Sequence, residues 1–262
     1  MSKLWQKNNQ VASSVEQFTI GKDQEMDLYL AAYDVLGSIA HTTMLSEVGL
    51  LTKEEQVQLK KALVEIYELV QSGNFKLAEG VEDIHSQVEM LLTEKLGDTG
   101  KKIHSARSRN DQVLVDLKLF LRAELMELSK SAQGLFTLLQ EKSEQHKNDL
   151  LPGYTHLQLA MPSSFGLWLG AYAESLVDDM TVLQSAYHVV NKNPLGSAAG
   201  YGSSFPINRT RTTELLGFET LNYNVVYALN DLGQVLVSGQ GEYSMNGDDD
   251  GENTGTPQLV RF

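Results

Sequence analysis

The sequence predicts an all-α fold, in which an N-terminal helical domain precedes the first long helices of a central helical bundle. Two proline-free stretches, from Ser108 to about His146 and from Ser163 to about Asn191, support this fold class. The first carries leucines at three- and four-residue spacing, and helices of that length are typical of bundles. Runs of alternating β-branched residues are nearly absent, so we assign no substantial sheet.

Three shorter helices precede the long ones. The stretch Asp27 to Val48 has apolar residues at helical spacing and no proline. Thr52 and Glu55 have the spacing of a capping box, which predicts a helix from there to about Gln71. Ile84 to Leu96 is a third amphipathic stretch, and the glycine that follows it predicts its end.

These patterns divide the chain into three segments. We predict a helical domain at residues 1–107 and a partial central bundle at 108–228, in which a further helix begins at Arg209 after a loop of small residues at 194–206. The glycine-rich, acidic segment at 229–262 has no helical spacing, so we expect it to be disordered.

Composition excludes several classes of protein. The 262 residues carry a net charge of −13, which disfavours binding to nucleic acid. No run of about 18 apolar residues appears, so no membrane span is predicted. The chain has no cysteine and no apolar stretch at its N-terminus, so we expect a cytoplasmic protein without disulfides.

Five polar clusters interrupt the helical pattern, at residues 23–27, 82–86, 104–112, 153–158 and 194–209. Each has a purely structural interpretation. Asp83 is a good N-cap for the helix that follows it, and Ser108 or Asn110 could cap the long helix. The cluster at 153–158 could be a simple turn, and the loop of small residues could be a tight connection.

A functional interpretation rests on the chemistry that these clusters share. Arg109 and Arg209 can grip carboxylates in a fork, and His156 can transfer a proton near neutral pH. The remaining polar side chains are the neutral groups Ser108, Asn110, Thr155 and Gln158 and the carboxylates Asp27 and Asp83. This set suits a dicarboxylate substrate with a basic end.

Other chemistries find little support. His85 and His104 are 19 residues apart with no flanking ligand pattern, so no metal site is predicted. The sequence has neither a phosphate-binding Gly-x-x-x-x-Gly-Lys loop nor a Gly-x-Ser-x-Gly elbow. A nucleotide enzyme or a nucleophilic hydrolase is therefore disfavoured.

Four motifs in the same order resemble those of argininosuccinate lyases, within the fumarase/aspartase-like superfamily. They are Gly49-Leu50-Leu51-Thr52, Glu82-Asp83-Ile84-His85-Ser86, His104-Ser105-Ala106-Arg107-Ser108-Arg109-Asn110-Asp111-Gln112 and Gly153-Tyr154-Thr155-His156-Leu157-Gln158. The resemblance covers roughly residues 1–228.

The resemblance implies a helical homotetramer whose active sites are built from several subunits. The implied reaction belongs to arginine biosynthesis and splits argininosuccinate into arginine and fumarate, without metal or organic cofactor. A base removes a proton next to a carboxylate, hydrogen-bond donors hold the resulting aci-carboxylate, and an acid protonates the departing guanidino nitrogen.

The resemblance also implies roles for individual residues. His156 is the implied proton-transfer residue, with Thr155 beside it at the substrate. The predicted substrate-binding residues are Asp27, Asp83, Ser108, Arg109, Asn110, Gln158 and Arg209. We interpret His104, His146 and His188 as structural.

Two departures from the family pattern bear on function. Asp23 stands where the family has a serine, and the usual Gly-Arg-Phe is missing after Trp5, which suggests a modified substrate. The signature Gly-Ser-Ser-x-Met-Pro-x-Lys-x-Asn-Pro, which carries the implied serine base, is absent. We therefore expect this chain to be truncated and inactive alone, its residues 229–262 arising from a frameshift, rearrangement or truncation.

Two alternatives remain open. One is a related superfamily lyase, such as one acting on adenylosuccinate. The other is a non-catalytic helical protein whose role is oligomerisation.

Overall fold

The structure, a computed structural model, describes residues 23–78 and 80–223 and the backbone of three short strands beyond them. Its helices are α1 (Asp23–Asp27), α2 (Ala31–Glu47), α3 (Lys53–Gln71), α4 (Ile84–Leu96), α5 (Asp98–Lys101), α6 (Arg109–Gln145), α7 (Phe165–Val190) and α8 (Arg209–Leu215). Single 3-10 turns lie at Leu28–Leu30 and Lys102–His104. The predicted all-α class is confirmed.

The strands are few and short. They are β1 (Leu150–Thr155), β2 (Gln158–Ser164), β3 (Lys192–Asn193), β4 (Thr220–Leu221), β5 (Tyr227–Leu229), β6 (Val235–Val237) and β7 (Gln258–Leu259). β1 pairs with β2 and β3 with β4, while β5, β6 and β7 form a three-stranded antiparallel set.

The chain divides into two compact units. The first comprises residues 1–117 and 192–262, and the second comprises residues 118–191. The core of the first unit lies among α2, α3 and α4, where the largest fully buried side chains include Met44, Leu45, Leu59, Leu63, Ile84 and Leu92. The capping box at the start of α3 is confirmed, because Thr52 and Glu55 each accept a hydrogen bond from the other's backbone amide.

The second unit contains the larger part of α6, the β1–β2 hairpin and α7. The end of α6 and the start of α7 touch at Gly166, whose backbone oxygen accepts a 2.7 Å hydrogen bond from the Ser143 hydroxyl. A Cβ atom at Gly166 would lie 2.5 Å from the Ser143 carbonyl oxygen, so this close approach requires glycine.

The sequence predicted neither the β1–β2 hairpin nor the shorter strands β3 to β7, of which β6 and β7 lie in the segment expected to be disordered. In the hairpin, Pro152 lies opposite Pro162, and Thr155 is the strands' one β-branched residue, so neither segment has the usual composition of a strand. Each strand of a two-stranded ribbon is an edge strand, and edge strands tolerate proline because no further partner needs its missing N–H.

Several predictions fall on residues outside those that the structure describes. These are the interpretation of Trp5 and, apart from the short strand backbones, the predicted disorder of 229–262. The side chain of Asp23 also lies outside them. Within the described part of the chain, no helix is both long and apolar enough to cross a membrane.

Candidate active site

The start of α6 presents the predicted segment Ser108 to Asn110. The Ser108 hydroxyl accepts a 3.3 Å hydrogen bond from the Asn110 amide, and the Asp111 carboxylate accepts a 2.8 Å bond from the Ser108 amide. Ser108 therefore caps the long helix, as one of the structural interpretations predicted. Arg109 is half-buried beside it, and Asn110 is exposed.

Arg109 reaches the start of α4. Its Nη1 atom lies 3.0 Å from Oδ1 of Asp83, and its Nη2 atom donates to the Ser86 hydroxyl at 3.3 Å. Asp83 is also the N-cap of α4, because the same Oδ1 accepts from the Ser86 amide at 2.7 Å. The structural and functional interpretations of Asp83 are thus compatible.

Asp27 also contacts the start of α4. Its Oδ2 atom accepts a 2.9 Å hydrogen bond from the Ile84 amide. Partial burial raises the pKa of Asp27, although the Ile84 amide and His85 act in the opposite direction. The structure therefore places Asp27 and the Asp83–Arg109 ion pair together at the N-terminus of α4.

A buried ionic cluster of Asp34, His85 and Asp116, which the sequence did not predict, includes the residue that follows Ile84 in α4. His85 Nδ1 lies 2.9 Å from Asp34 Oδ1 and 3.5 Å from Asp116 Oδ2, and all three side chains are at most 3% exposed. Arg107, also buried, donates to the Ser38 hydroxyl at 3.1 Å. The residues of this cluster are far apart in sequence, so no motif spacing could have revealed it.

The charges of this cluster are set by burial and by its own members. Burial, and then the charge of Asp34, raises the pKa of Asp116 well above its usual value. Burial acts on Asp34 too, but His85 and Arg107 outweigh it and lower the pKa of that carboxyl. Donor atoms of Asp34, His85 and Asp116 lie within 4.8 Å of one another, close enough for a metal ion. Because Arg107 already supplies a cation, we interpret the cluster as an ion-pair network that joins α2, α4 and α6.

Arg209 has an environment that differs from that of Arg109. Its guanidinium donates to backbone carbonyl oxygens of Leu195, at 3.0 Å, and of Pro194, at 3.3 Å. It also donates to the carbonyl oxygens of Tyr223, at 3.1 Å, and of Asn222. In this structure the side chain holds the loop at residues 194–206, and its predicted contact with substrate stays a prediction.

Thr155, His156 and Gln158 lie at the tip of the hairpin in the second unit. Thr155 pairs with Gln158, which leaves His156 and Leu157 as a two-residue loop with φ angles of 49° and 62°. Positive φ at both positions is the requirement of a type I′ turn, for which Asn-Gly is the usual sequence. The tip is solvent-exposed, and Leu157 is 99% exposed.

Backbone strain coincides with the predicted clusters. Among the described residues, the non-glycine residues with positive φ are Ala106, His156, Leu157 and Ala198. All four lie within the polar clusters at 104–112, 153–158 and 194–209. Such conformations cost of order 1–3 kcal/mol each and concentrate at functional sites, so their distribution favours the functional interpretation of these clusters.

The chain belongs to the lyase family, whose model matches residues 1–238. It is 66% identical to argininosuccinate lyase of Bacteroides fragilis over 226 residues, which is 86% of this chain and 51% of that relative. It is 40% identical to argininosuccinate lyase of Thermotoga neapolitana over 232 residues, 88% of this chain and 58% of the relative. The predicted resemblance to argininosuccinate lyases is confirmed, and the chain spans about half the length of the curated relatives it matches.

Solved structures agree with the fold. An EDDS lyase in complex with formate aligns with a TM-score of 0.68 and 28% identity, over 83% of this chain and 43% of that one. A Brucella melitensis protein described as fumarate lyase:delta crystallin aligns with a TM-score of 0.66 and 18% identity, over 81% of this chain and 52% of that one. The second likeness supports the fold alone.

Proposed function

We propose that this chain carries part of the active site of an argininosuccinate lyase, which splits argininosuccinate into arginine and fumarate. The Asp83–Arg109 ion pair, with Asp27 bonded beside it to the start of α4, carries the proposal, together with the 66% identity to proteins of that name. The reaction belongs to arginine biosynthesis, and we propose a cytoplasmic location for the protein. No metal or organic cofactor is expected to take part.

The site matches the charges of this substrate. The succinate end has two carboxylates, which suit the guanidinium fork of Arg109 and the exposed amide of Asn110. The guanidino end is cationic, which suits the carboxylates of Asp27 and Asp83. In the substrate-free site Arg109 and Asp83 pair with each other, so substrate binding would exchange this ion pair for contacts with the substrate.

We assign the proton transfer to His156, with Thr155 beside it. Imidazole is a common proton-transfer group in enzymes, and at an exposed tip it can meet a substrate bound elsewhere. Two successive strained residues hold this side chain at the tip, which supports a functional role for the turn. Gln158 faces Thr155 across the turn and completes the same surface.

We expect this chain to bind argininosuccinate without turning it over. Its 262 residues contain no copy of the Gly-Ser-Ser-x-Met-Pro-x-Lys-x-Asn-Pro signature that carries the implied base. Release of fumarate by the purified chain, followed by its ultraviolet absorbance, would contradict this expectation.

Calorimetric titration with argininosuccinate tests the binding. We expect saturable binding that Arg109→Ala abolishes, because this substitution removes the guanidinium proposed to bind the substrate's carboxylates. Arg211→Ala is the matched control, since Arg211 is partly exposed and pairs with Glu47 and Glu214 instead of Asp83. Absence of binding by the unsubstituted chain would refute the proposal, and tighter binding of adenylosuccinate would favour the related lyase.

A second candidate role is oligomerisation, and the surface of the second unit favours it. Its two long helices expose several large apolar residues, among them Leu128, Leu135, Leu138, Val177, Val182 and Val189. Such a surface indicates a contact with other protein chains. We propose that copies of the chain assemble through it, as a homotetramer in the complete protein.

Sedimentation measurements test this assembly. Val182 is 72% exposed on α7, so Val182→Glu adds a charge to the apolar surface and should shift the protein towards smaller species. Val57→Glu on α3, where the valine is 63% exposed, is the control and should leave the distribution unchanged. Equal distributions for both variants would count against an interface on α7.

A further inference from the structure

The Asp111 carboxylate bonds two segments that are distant in sequence. Its Oδ1 atom accepts a 2.8 Å hydrogen bond from the Ser108 amide, at the start of α6. Its Oδ2 atom accepts from the amides of Gly196 at 2.8 Å and Ala198 at 3.0 Å. Asp111 is fully buried, so these three backbone donors replace the water that an exposed carboxylate would bind.

Arg209 holds the same loop through its carbonyl groups. Its Nε atom donates to the Leu195 oxygen and its Nη2 atom to the Pro194 oxygen. The N–H groups of this stretch therefore point to a carboxylate, and its C=O groups point to a guanidinium. Gly196 sits between them with φ of 93°, and a Cβ there would lie 2.7 Å from Cγ of Arg209.

A helix cap alone does not explain this arrangement. A carboxylate that only capped α6 would need the single bond to Ser108. Here the second oxygen is bonded to amides 85 and 87 residues later in the chain. The side chain is thus a fixed bridge between the loop and the segment Ser108 to Asn110.

We infer that Asp111 is a positioning residue, which fixes the segment Ser108 to Asn110 against the loop so that Arg109 and Asn110 face the substrate. The inference rests on the proposed function, because it assigns Asp111 to the same site. Asp111 does not itself contact substrate. It sets the backbone from which Arg109 reaches Asp83, and charge-assisted bonds to backbone amides make such a bridge strong.

Three variants of the full chain test the inference. Asp111→Asn keeps the shape but replaces one acceptor oxygen with an NH2 group, which then faces a backbone donor. Arg209→Lys weakens the bonds to the carbonyl oxygens of the loop and leaves Asp111 intact. It therefore replaces Asp111→Asn in the test if that variant fails to fold. Thr52→Ala removes the distant cap of α3 and controls for general loss of stability.

Amide hydrogen exchange at Gly196 and Ala198 measures whether their bonds to Asp111 are formed, and it needs no ligand. We expect exchange at Gly196 and Ala198 to become at least about tenfold faster in Asp111→Asn, since a lost buried bond is worth about that factor. A smaller increase is expected in Arg209→Lys, and none at these two amides in Thr52→Ala. Unchanged exchange in both loop variants would overturn the bridge.

Calorimetry with argininosuccinate then separates positioning from a merely structural role. We expect affinity to fall about tenfold or more in Asp111→Asn and to stay unchanged in Thr52→Ala. Faster exchange at Gly196 and Ala198 with unchanged affinity would overturn the positioning role.

A ligand-free readout keeps this inference distinct from the proposed function. If the unsubstituted chain binds no argininosuccinate, the proposed function fails. The guanidinium NMR signals of Arg109 then test whether Asp111 positions Arg109. These signals report the ion pair with Asp83. Their shift in Asp111→Asn but not in Thr52→Ala would support positioning, and unchanged signals in both would overturn it.

Discussion

Arg109 lies 3.0 Å from Asp83, so a predicted carboxylate-binding arginine is paired with a carboxylate that also caps α4. Two roles are therefore combined in Asp83, and substitution can separate them. Both partners are about a quarter exposed, which makes the pair accessible to a bound substrate and limits its contribution to stability.

Asp83→Asn should weaken binding without unfolding the chain. Asparagine caps helices about as well as aspartate, so thermal stability should change little, while loss of the charge should lower affinity for argininosuccinate about tenfold. Asp83→Ala should also remove the N-cap of α4, which should lower the free energy of unfolding by about 1 kcal/mol. Calorimetry and thermal melts on both variants check this, and full affinity in Asp83→Asn would leave Asp83 as a cap only.

The helices could be predicted because each depends on local signals. The predicted bounds of α4, from Ile84 to Leu96, match the structure, since Asp83 caps its start and Gly97 ends it. The hairpin lacked such signals, because its turn residues, His156 and Leu157, are unusual in a type I′ turn.

The candidate site could be predicted only in part. The residue types and the family motifs identified Arg109 and Asp83, but their contact spans 26 residues and depends on how α4 and α6 pack. The bridge made by Asp111 and the cluster around Asp34 were missed for the same reason. Buried ionic contacts between distant segments leave no periodic pattern in a sequence.

Stability should fall as pH decreases below neutral because of His41. Its Nε2 atom lies 2.8 Å from the Ser105 carbonyl oxygen and donates to it, because a carbonyl oxygen can only accept. Burial, with a smaller contribution from Arg107, lowers the pKa of His41 from 6.5 to about 3. Between these values the unfolded chain binds a proton that the folded chain excludes, so unfolding becomes easier as pH falls.

The contribution of His41 to the pH dependence of the unfolding free energy should approach about 1.4 kcal/mol per pH unit in that range. Burial also lowers the pKa of His104, which adds a contribution of the same sign. The raised pKa of Asp116 contributes with the opposite sign. Urea unfolding at several pH values checks the slope. His41→Gln should reduce the slope, and equal slopes in this variant and the unsubstituted chain would contradict the assignment to His41.

Leu157→Gly should stabilise the second unit. Leu157 has φ of 62° and is 99% exposed, so glycine removes left-handed strain of about 1–2 kcal/mol without loss of packing. The greater freedom of glycine in the unfolded chain offsets about 0.5–1 kcal/mol, leaving a net gain of about 0.5 kcal/mol.

Denaturant unfolding checks this gain, and Leu159→Gly is the control. Leu159 is 69% exposed in β2 and is not among the residues with positive φ, so glycine there should destabilise the hairpin. Destabilisation by Leu157→Gly would show that the turn is not strained. Stabilisation combined with weaker assembly or turnover in the complete protein would indicate that the strain is retained for function.

Two helical glycines of the second unit should respond to alanine in opposite directions. A Cβ at Gly166 would lie 2.5 Å from the Ser143 carbonyl oxygen and 2.6 Å from Cα of Lys147, and backbone atoms cannot move aside cheaply. Gly166→Ala should therefore destabilise the chain by about 1–3 kcal/mol. Gly134 lies in the middle of α6 with nothing within 4 Å of its Cβ position, so Gly134→Ala should stabilise by about 1 kcal/mol. Thermal melts of both variants check the pair, and equal shifts would contradict close contact between the end of α6 and the start of α7.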